Sequence, residues 1–149
     1  MRPYTWMVYA VAVTAGSVLA MPVAGARQES RRTIWDGVFS EAQAGRGQRA
    51  YVQACAKCHA QDLLGSGNAP ALVGEPFLGR FDRSTADDVV QIIRQTMPQE
   101  APDSLGAETY VDIVSYLLKA NGGPAGPADL SSERAALKQV IVTAHEERR

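Results

Sequence analysis

The sequence predicts an all-α fold, with three main helices plus loops wrapped around something that is not protein. Two observations carry this. Apolar residues recur at i, i+3 and i+4 steps in three segments, near 40–55, 84–97 and 106–122, the spacing of a buried helix face. Between the first two lies "AQDLLGSGNAPALVGEPFLGRFDR", residues 60–83, rich in Gly, Pro and Asn. A loop that long in a small domain is functional or covers a surface. The chain has 149 residues, 46% hydrophobic and 21% charged, which is one domain's worth of core.

The first 26 residues differ from the rest. Arg2 is their only charge, an apolar run follows from Met7 to Met21, and "AGA" at 24–26 matches a small-x-small cleavage site. This is the layout of a secretory signal peptide, so residues 1–26 are set aside from the fold and export to the periplasm is expected. An uncleaved membrane anchor is the alternative, but spanning takes about 20 apolar residues. No cysteine sits near the site to carry a lipid. Of 15 basic residues, losing Arg2 leaves 14 against 16 acidic ones. No basic patch suggests nucleic acid. Met1, Met7 and Met21 leave with the leader, so Met97 is the one methionine of the mature chain.

Residues 27–37 are expected as an N-terminal extension, with "RQESRRT" polar and loose and "IWDGVF" opening the ordered domain, 38–123. The first helix runs from Ser40, a fitting N-cap, to Cys55, with Ala44, Gly47, Tyr51 and Ala54 on one narrow apolar face. Gly47 in that face points to close approach of another helix.

The helix runs into "CAKCH", which holds both cysteines, Cys55 and Cys58, and then His59. Three readings compete. A redox dithiol needs the pair at a helix start, usually after a strand, and the preceding segment is helical. A structural zinc needs about four ligands, and no second Cys/His pair exists. Covalent attachment of a c-type haem is signalled by C-x-x-C-H. Thiols three apart on a helical turn point to one side, where they can add to the two vinyl groups of one haem. His59 then falls beneath the iron as the proximal ligand. A plain disulfide is poor, because two intervening residues make a strained ring.

A haem gives the 60–83 loop an apolar surface to cover. Leu63, Leu72, Phe77, Leu78 and Phe81 are the expected haem-facing or core residues. Metal-bound histidines usually donate their other ring N–H to a carbonyl, and the Pro70 carbonyl is the expected acceptor for His59. In "STADDVVQIIRQTMP", Ser84 and Asp87 resemble a capping box, with Asp for the usual Glu. Ala86, Val89, Val90 and Ile93 face inward, and Pro98 stops the helix. Met97, 38 residues after His59, is the expected second axial ligand. The alternatives are that Met97 fills core space, as most methionines do, or that His145 in the charged tail binds instead. The third helix starts near Gly106 and ends at Gly122, with Tyr110, Ile113, Val114 and Leu117 on one face. Residues 124–149 are a C-terminal extension: a linker, then a segment whose helical spacing competes with the β-branched "VIVT".

In this order, "CAKCH", Pro70-Ala-Leu72, Met97-Pro98 and "YVDIVSYLL" resemble a small class I, single-haem bacterial cytochrome c over roughly residues 38–122. The resemblance implies the cytochrome c fold and one haem c, bonded through Cys55 and Cys58 and held by His59 and Met97. It also implies that the first and last helices cross through Gly47, Tyr51 and Tyr116. "WDGVFSEAQAGRG" and "GGPAGPADL" are similar to cytochromes found beside, or fused to, quinoprotein dehydrogenases in some bacteria. That suggests such a dehydrogenase as donor, and a terminal oxidase or another cytochrome as acceptor. A haem enzyme of thiosulfate oxidation is a further relative in kind, but Met97 argues against its cysteine or lysine ligation.

With both axial positions filled, the expectation is an electron carrier rather than an enzyme, docking weakly and fast. Two rivals remain. One is a five-coordinate haem enzyme or sensor, which requires that Met97 not bind. The other is a haem-bearing acceptor subunit of a dehydrogenase complex, with 124–149 as its docking arm.

Overall fold

The computed structural model describes residues 31–144. Residues 1–26, expected as a signal peptide, the start of the expected N-terminal extension and His145 lie outside the described residues. The chain runs β1 (Arg32–Thr33), α1 (Glu41–Ala54), α2 (Ala56–His59), α3 (Glu75–Phe81), α4 (Ala86–Thr96), α5 (Ala107–Ala120), α6 (Arg134–Leu137) and β2 (Val140–Ile141). Three helices are long and the rest is loop and short turns, which is the architecture of a cytochrome c fold.

Ser40 caps α1, accepting the Gln43 N–H at 3.0 Å, so one orphan donor of the first turn is satisfied. The buried face of α1 is Gln43, Ala44, Gly47 and Tyr51. It packs against α5, which buries Tyr110, Val111, Ile113, Val114, Ser115, Leu117 and Leu118. Gly47 decides how close the two helices come. A Cβ there would lie 1.8 Å from the Asp112 carbonyl oxygen and 3.0 Å from the Ile113 nitrogen, so the helices touch backbone to backbone. One turn on, the Tyr51 and Tyr116 rings meet with centroids 5.4 Å apart, a tilted pairing that suits their quadrupoles. Gly47 itself meets Asp112 and Ile113, a turn before Tyr116.

The capping box of α4 falls one residue later than the sequence suggested. Thr85, not Ser84, is the N-cap, with Asp88 as its partner: Asp88 N–H reaches Thr85 Oγ1 at 3.1 Å and Thr85 N–H reaches Asp88 Oδ2 at 2.8 Å. Asp87 instead turns inward, 2% exposed, where Arg134 donates to both its oxygens at 3.0 and 2.9 Å. Two aspartates in sequence offer the same cap chemistry; the ion pair with a distant arginine selects between them. The 60–83 loop is likewise not all loop. Glu75–Phe81 forms α3, with Pro76 in its first turn, where a missing N–H costs nothing.

Both terminal segments join the core. Arg32–Thr33 expected as loose chain pairs in parallel with Val140–Ile141, Arg32 opposite Val140 and Thr33 opposite Ile141. The segment whose helical and β-branched signals competed contains both: α6, then β2. Gln43, 3% exposed, receives the Leu130 N–H at 2.7 Å and donates to the Leu130 carbonyl at 3.0 Å. Trp35 Nε1 donates to Thr143 Oγ1 at 3.0 Å. Gly37 and Gly126 cross so closely that a Cβ on Gly126 would sit 1.9 Å from the Gly37 oxygen. Leu130, Leu137, Val140 and Val142 are buried. Residues 124–144 are thus a strap laid from α5 over α1 to α4.

Candidate haem site

The attachment turn is made where α1 breaks. Cys55 ends α1, its N–H bonded to Tyr51 O at 2.8 Å, and its φ of −124° leaves the helix. Its carbonyl then accepts from Cys58 N at 3.1 Å and His59 N at 3.0 Å, starting α2. Cys55 is half-buried and Cys58 exposed, and no disulfide joins them. Burial, with a smaller push from Cys58, raises the Cys55 thiol to about 11.

His59 is 6% exposed, and its Nδ1 lies 2.9 Å from the Pro70 carbonyl oxygen. A carbonyl only accepts, so Nδ1 is the donor in this contact, and in the neutral ring the lone pair is left on Nε2. That is the tautomer a metal ligand needs, with the ring direction fixed by the Pro70 bond. The loop that delivers Pro70 is tied at several points. Tyr51 Oη donates to Ala60 O at 2.7 Å. Gly65 N–H bonds His59 O at 3.0 Å, and Leu72 N–H bonds Leu63 O at 2.7 Å. Gly65 has φ +78°, and a Cβ there would lie 2.3 Å from Ala69 O and 2.9 Å from Pro70 O. Glycine is therefore required both by conformation and by the approach of the carbonyl. Ala60 and Leu63 also have positive φ, +61° and +65°, uncommon for residues with a Cβ. Asn121, at the end of α5, finishes the clamp: it donates to Leu72 O at 2.9 Å and accepts from Gly74 N at 2.8 Å.

Leu72 is partly buried against the core, as are Leu78 and Leu105, while Leu63, Phe77 and Phe81 are buried. Met97 is the C-cap of α4, its N–H on Ile93 O. Its carbonyl accepts from Tyr110 Oη at 2.8 Å. Three residues on, Glu100 Oε1 comes within 4.0 Å of Lys57 Nζ from the attachment turn, an ion pair of two exposed side chains. The structure thus brings Cys55, Cys58, His59 and Pro70 together on one turn and one loop, while Met97 ends α4. Gly65, Tyr51, Asn121 and Tyr110 support the site without having been singled out for it. Gly65 lies in a "GSG" turn, a signal available in the sequence, whereas the hydroxyl and amide partners are fixed only by the fold.

The donor set fits a haem. Two thiols lie three residues apart on one turn, and an imidazole held at Nδ1 by the Pro70 carbonyl follows. Cys55, Cys58 and His59 would hold the group, which would supply a one-electron couple.

A family model described as cytochrome c oxidase, cbb3-type, subunit III matches residues 42–117, just over half of the 149 residues. The matched span begins in α1 and ends in α5, so it contains the attachment turn, the loops and Met97, and leaves out the strap. No curated protein matches the chain. Among solved structures, the sulfane dehydrogenase SoxCD from Paracoccus pantotrophus is similar at 18% identity and a TM-score of 0.49, covering 72% of this chain and 61% of that one. The chain therefore spans about three-fifths of the length of that relative.

Proposed function

Because the chain belongs to the c-type cytochrome family described as cytochrome c oxidase, cbb3-type, subunit III, we propose that it is a periplasmic electron carrier. In this reading one haem c is bonded through Cys55 and Cys58, with His59 and Met97 as axial ligands. Haem, when bound, supplies a one-electron couple between Fe(III) and Fe(II). The observation that carries the reading is the His59–Pro70 contact of 2.9 Å beside two thiols on the same turn. Pro70 orients the imidazole and raises its basicity. The Met97 thioether favours the reduced state relative to a second histidine. With both positions occupied, small molecules do not reach the metal and the protein passes electrons rather than transforming a substrate. The 26-residue apolar leader supports export, and the oxidised compartment outside the cell suits a covalently retained cofactor. The partners are redox proteins: a quinoprotein dehydrogenase as donor and a terminal oxidase or another cytochrome as acceptor.

Purified, matured protein tests this directly. Its pigment should survive acid–acetone extraction and its mass should exceed that of the bare polypeptide. The ferric form should show the weak red absorption band of a methionine–iron bond, and Met97→Ala should abolish it. A pigment that extracts sinks the covalent assignment. A wild-type protein without the band leaves a five-coordinate enzyme or sensor as the better account.

A further inference from the structure

Methionine has an unbranched side chain with three rotatable bonds, so its own rotamers localise the sulfur poorly. A fixed Met97 backbone narrows the positions that the sulfur can reach. Two contacts fix it. Tyr110, 1% exposed in the first turn of α5, donates from its hydroxyl to the Met97 carbonyl at 2.8 Å. Six residues after Met97, Asp103 turns back on α4: its N–H bonds Arg94 O at 2.9 Å, and its carboxylate receives the Arg94 guanidinium through both Nε and Nη2. The arginine holds the Asp103 carboxyl below its ordinary range. The segment between Arg94 and Asp103 is thus a closed loop, tied at its mouth by an ion pair and at Met97 by a tyrosine hydroxyl.

We propose that Tyr110 is a positioning residue for Met97, with the Arg94–Asp103 pair as the second point of the same brace, and that together they keep the thioether on the haem iron. This rests on the reading of Met97 as axial ligand. The competing role for Tyr110 is purely structural, because a buried phenol needs some acceptor and the Met97 carbonyl is at hand. A structural role predicts loss of stability alone; the brace predicts that Met97 is displaced more easily.

The experiment titrates ferric holoprotein with imidazole and follows loss of the red methionine–iron band, alongside thermal unfolding. The variants are Tyr110→Phe, Asp103→Asn, Met97→Ala and Gln43→Ala, the last a destabilised control on the strap. Tyr110→Phe removes one oxygen and should let imidazole bind about five- to tenfold more tightly, the worth of one hydrogen bond. Asp103→Asn should give about twofold, since its pair is exposed. Gln43→Ala should unfold earlier with wild-type imidazole affinity. If Met97→Ala abolishes the band but Tyr110→Phe binds imidazole as the wild type does, the brace is wrong and the ligand assignment stands. An equal shift in Gln43→Ala also overturns it, as general loosening. If Met97→Ala leaves the band intact, the ligand assignment itself has failed and the brace with it. Should Tyr110→Phe yield no holoprotein, Asp103→Asn decides, and an unshifted affinity there refutes the proposal.

Discussion

The strap side, residues 31–40 with 124–144, and the loop side, residues 60–83 with 97–106, are both mostly irregular chain, yet they are held by different contacts. The strap buries Ile34, Val38, Phe39, Leu130, Leu137, Val140 and Val142, each 4% exposed or less. Its backbone is paired strand to strand, and its polar groups reach partners on α1 and α4. The loop side buries fewer apolar side chains, Leu63, Phe77 and Phe81, and adds hydrogen bonds aimed at single carbonyls: Ala60, Pro70, Leu72 and Met97. Leu64 stands 64% exposed there, and Leu72, Leu78 and Leu105 are only partly buried. The difference teaches a division of labour. The strap is complete with protein atoms alone, while the loops are shaped by point contacts and, on the proposed reading, completed by haem.

Four measurements break or sharpen that comparison. The largest effect should come from blocking attachment with the Cys55→Ser, Cys58→Ser double variant. Amide exchange should rise roughly hundredfold or more in 60–83 and 97–106, while strap amides such as Ile34 and Val142 change far less. Uniform loss of protection across both sides would end the distinction.

Next, one glycine on each side can be filled. Gly126→Ala drives a Cβ into the Gly37 backbone and should cost about 3 kcal/mol of stability, the scale of severe overpacking, with the haem spectrum unchanged. Gly65→Ala pushes against Ala69 and Pro70 and should act on the site. Losing the Pro70 bond makes His59 a weaker donor, so the reduction potential should rise. Voltammetry and thermal melts of both variants separate the two outcomes, and a Gly65→Ala protein with wild-type potential would count against the Pro70 contact.

Third, Gln43→Ala strands the buried N–H and C=O of Leu130. Leaving two such groups unpaired should cost about 2 kcal/mol in denaturant unfolding, without altering the axial band.

The smallest effect concerns acid. Hydrogen bonds from Thr85 hold the Asp88 carboxyl below its ordinary value of 3.8. A depressed folded-state pKa means that its contribution is full above 3.8 and disappears as pH falls below it. Thr85→Ala should cost about 1 kcal/mol at neutral pH, the usual worth of an N-cap. That difference from wild type should shrink in acid melts. A difference constant down to low pH would remove Asp88 from the cap.

Much of the frame was legible because the signals are local. A helix period repeats within a few residues, so the three long helices could be placed with Ser40 and Gly106 at their starts. The chemistry of "CAKCH" also needs no fold to be read, since three-residue spacing on one turn already sets both thiols to one side. The acceptor for His59 could be anticipated from the rule that a ligand imidazole engages a carbonyl. The clamps around it could not, because Asn121, Tyr51 and Tyr110 carry side chains whose partners depend on how distant helices pack. Even the choice of Thr85 over Ser84 was hidden, being settled by Arg134 drawing Asp87 inward.

By itself, then, the sequence determined the helix faces, the thiol–imidazole turn and the all-α class, because periodicity and covalent spacing act over one or two turns. Tertiary structure alone decided that residues 31–40 and 124–144 belong to the core. Trp35 and Thr143 bond across 108 residues, Gln43 and Leu130 across 87. Closing such long loops becomes favourable only when many buried contacts form together, and no short stretch of sequence records their sum.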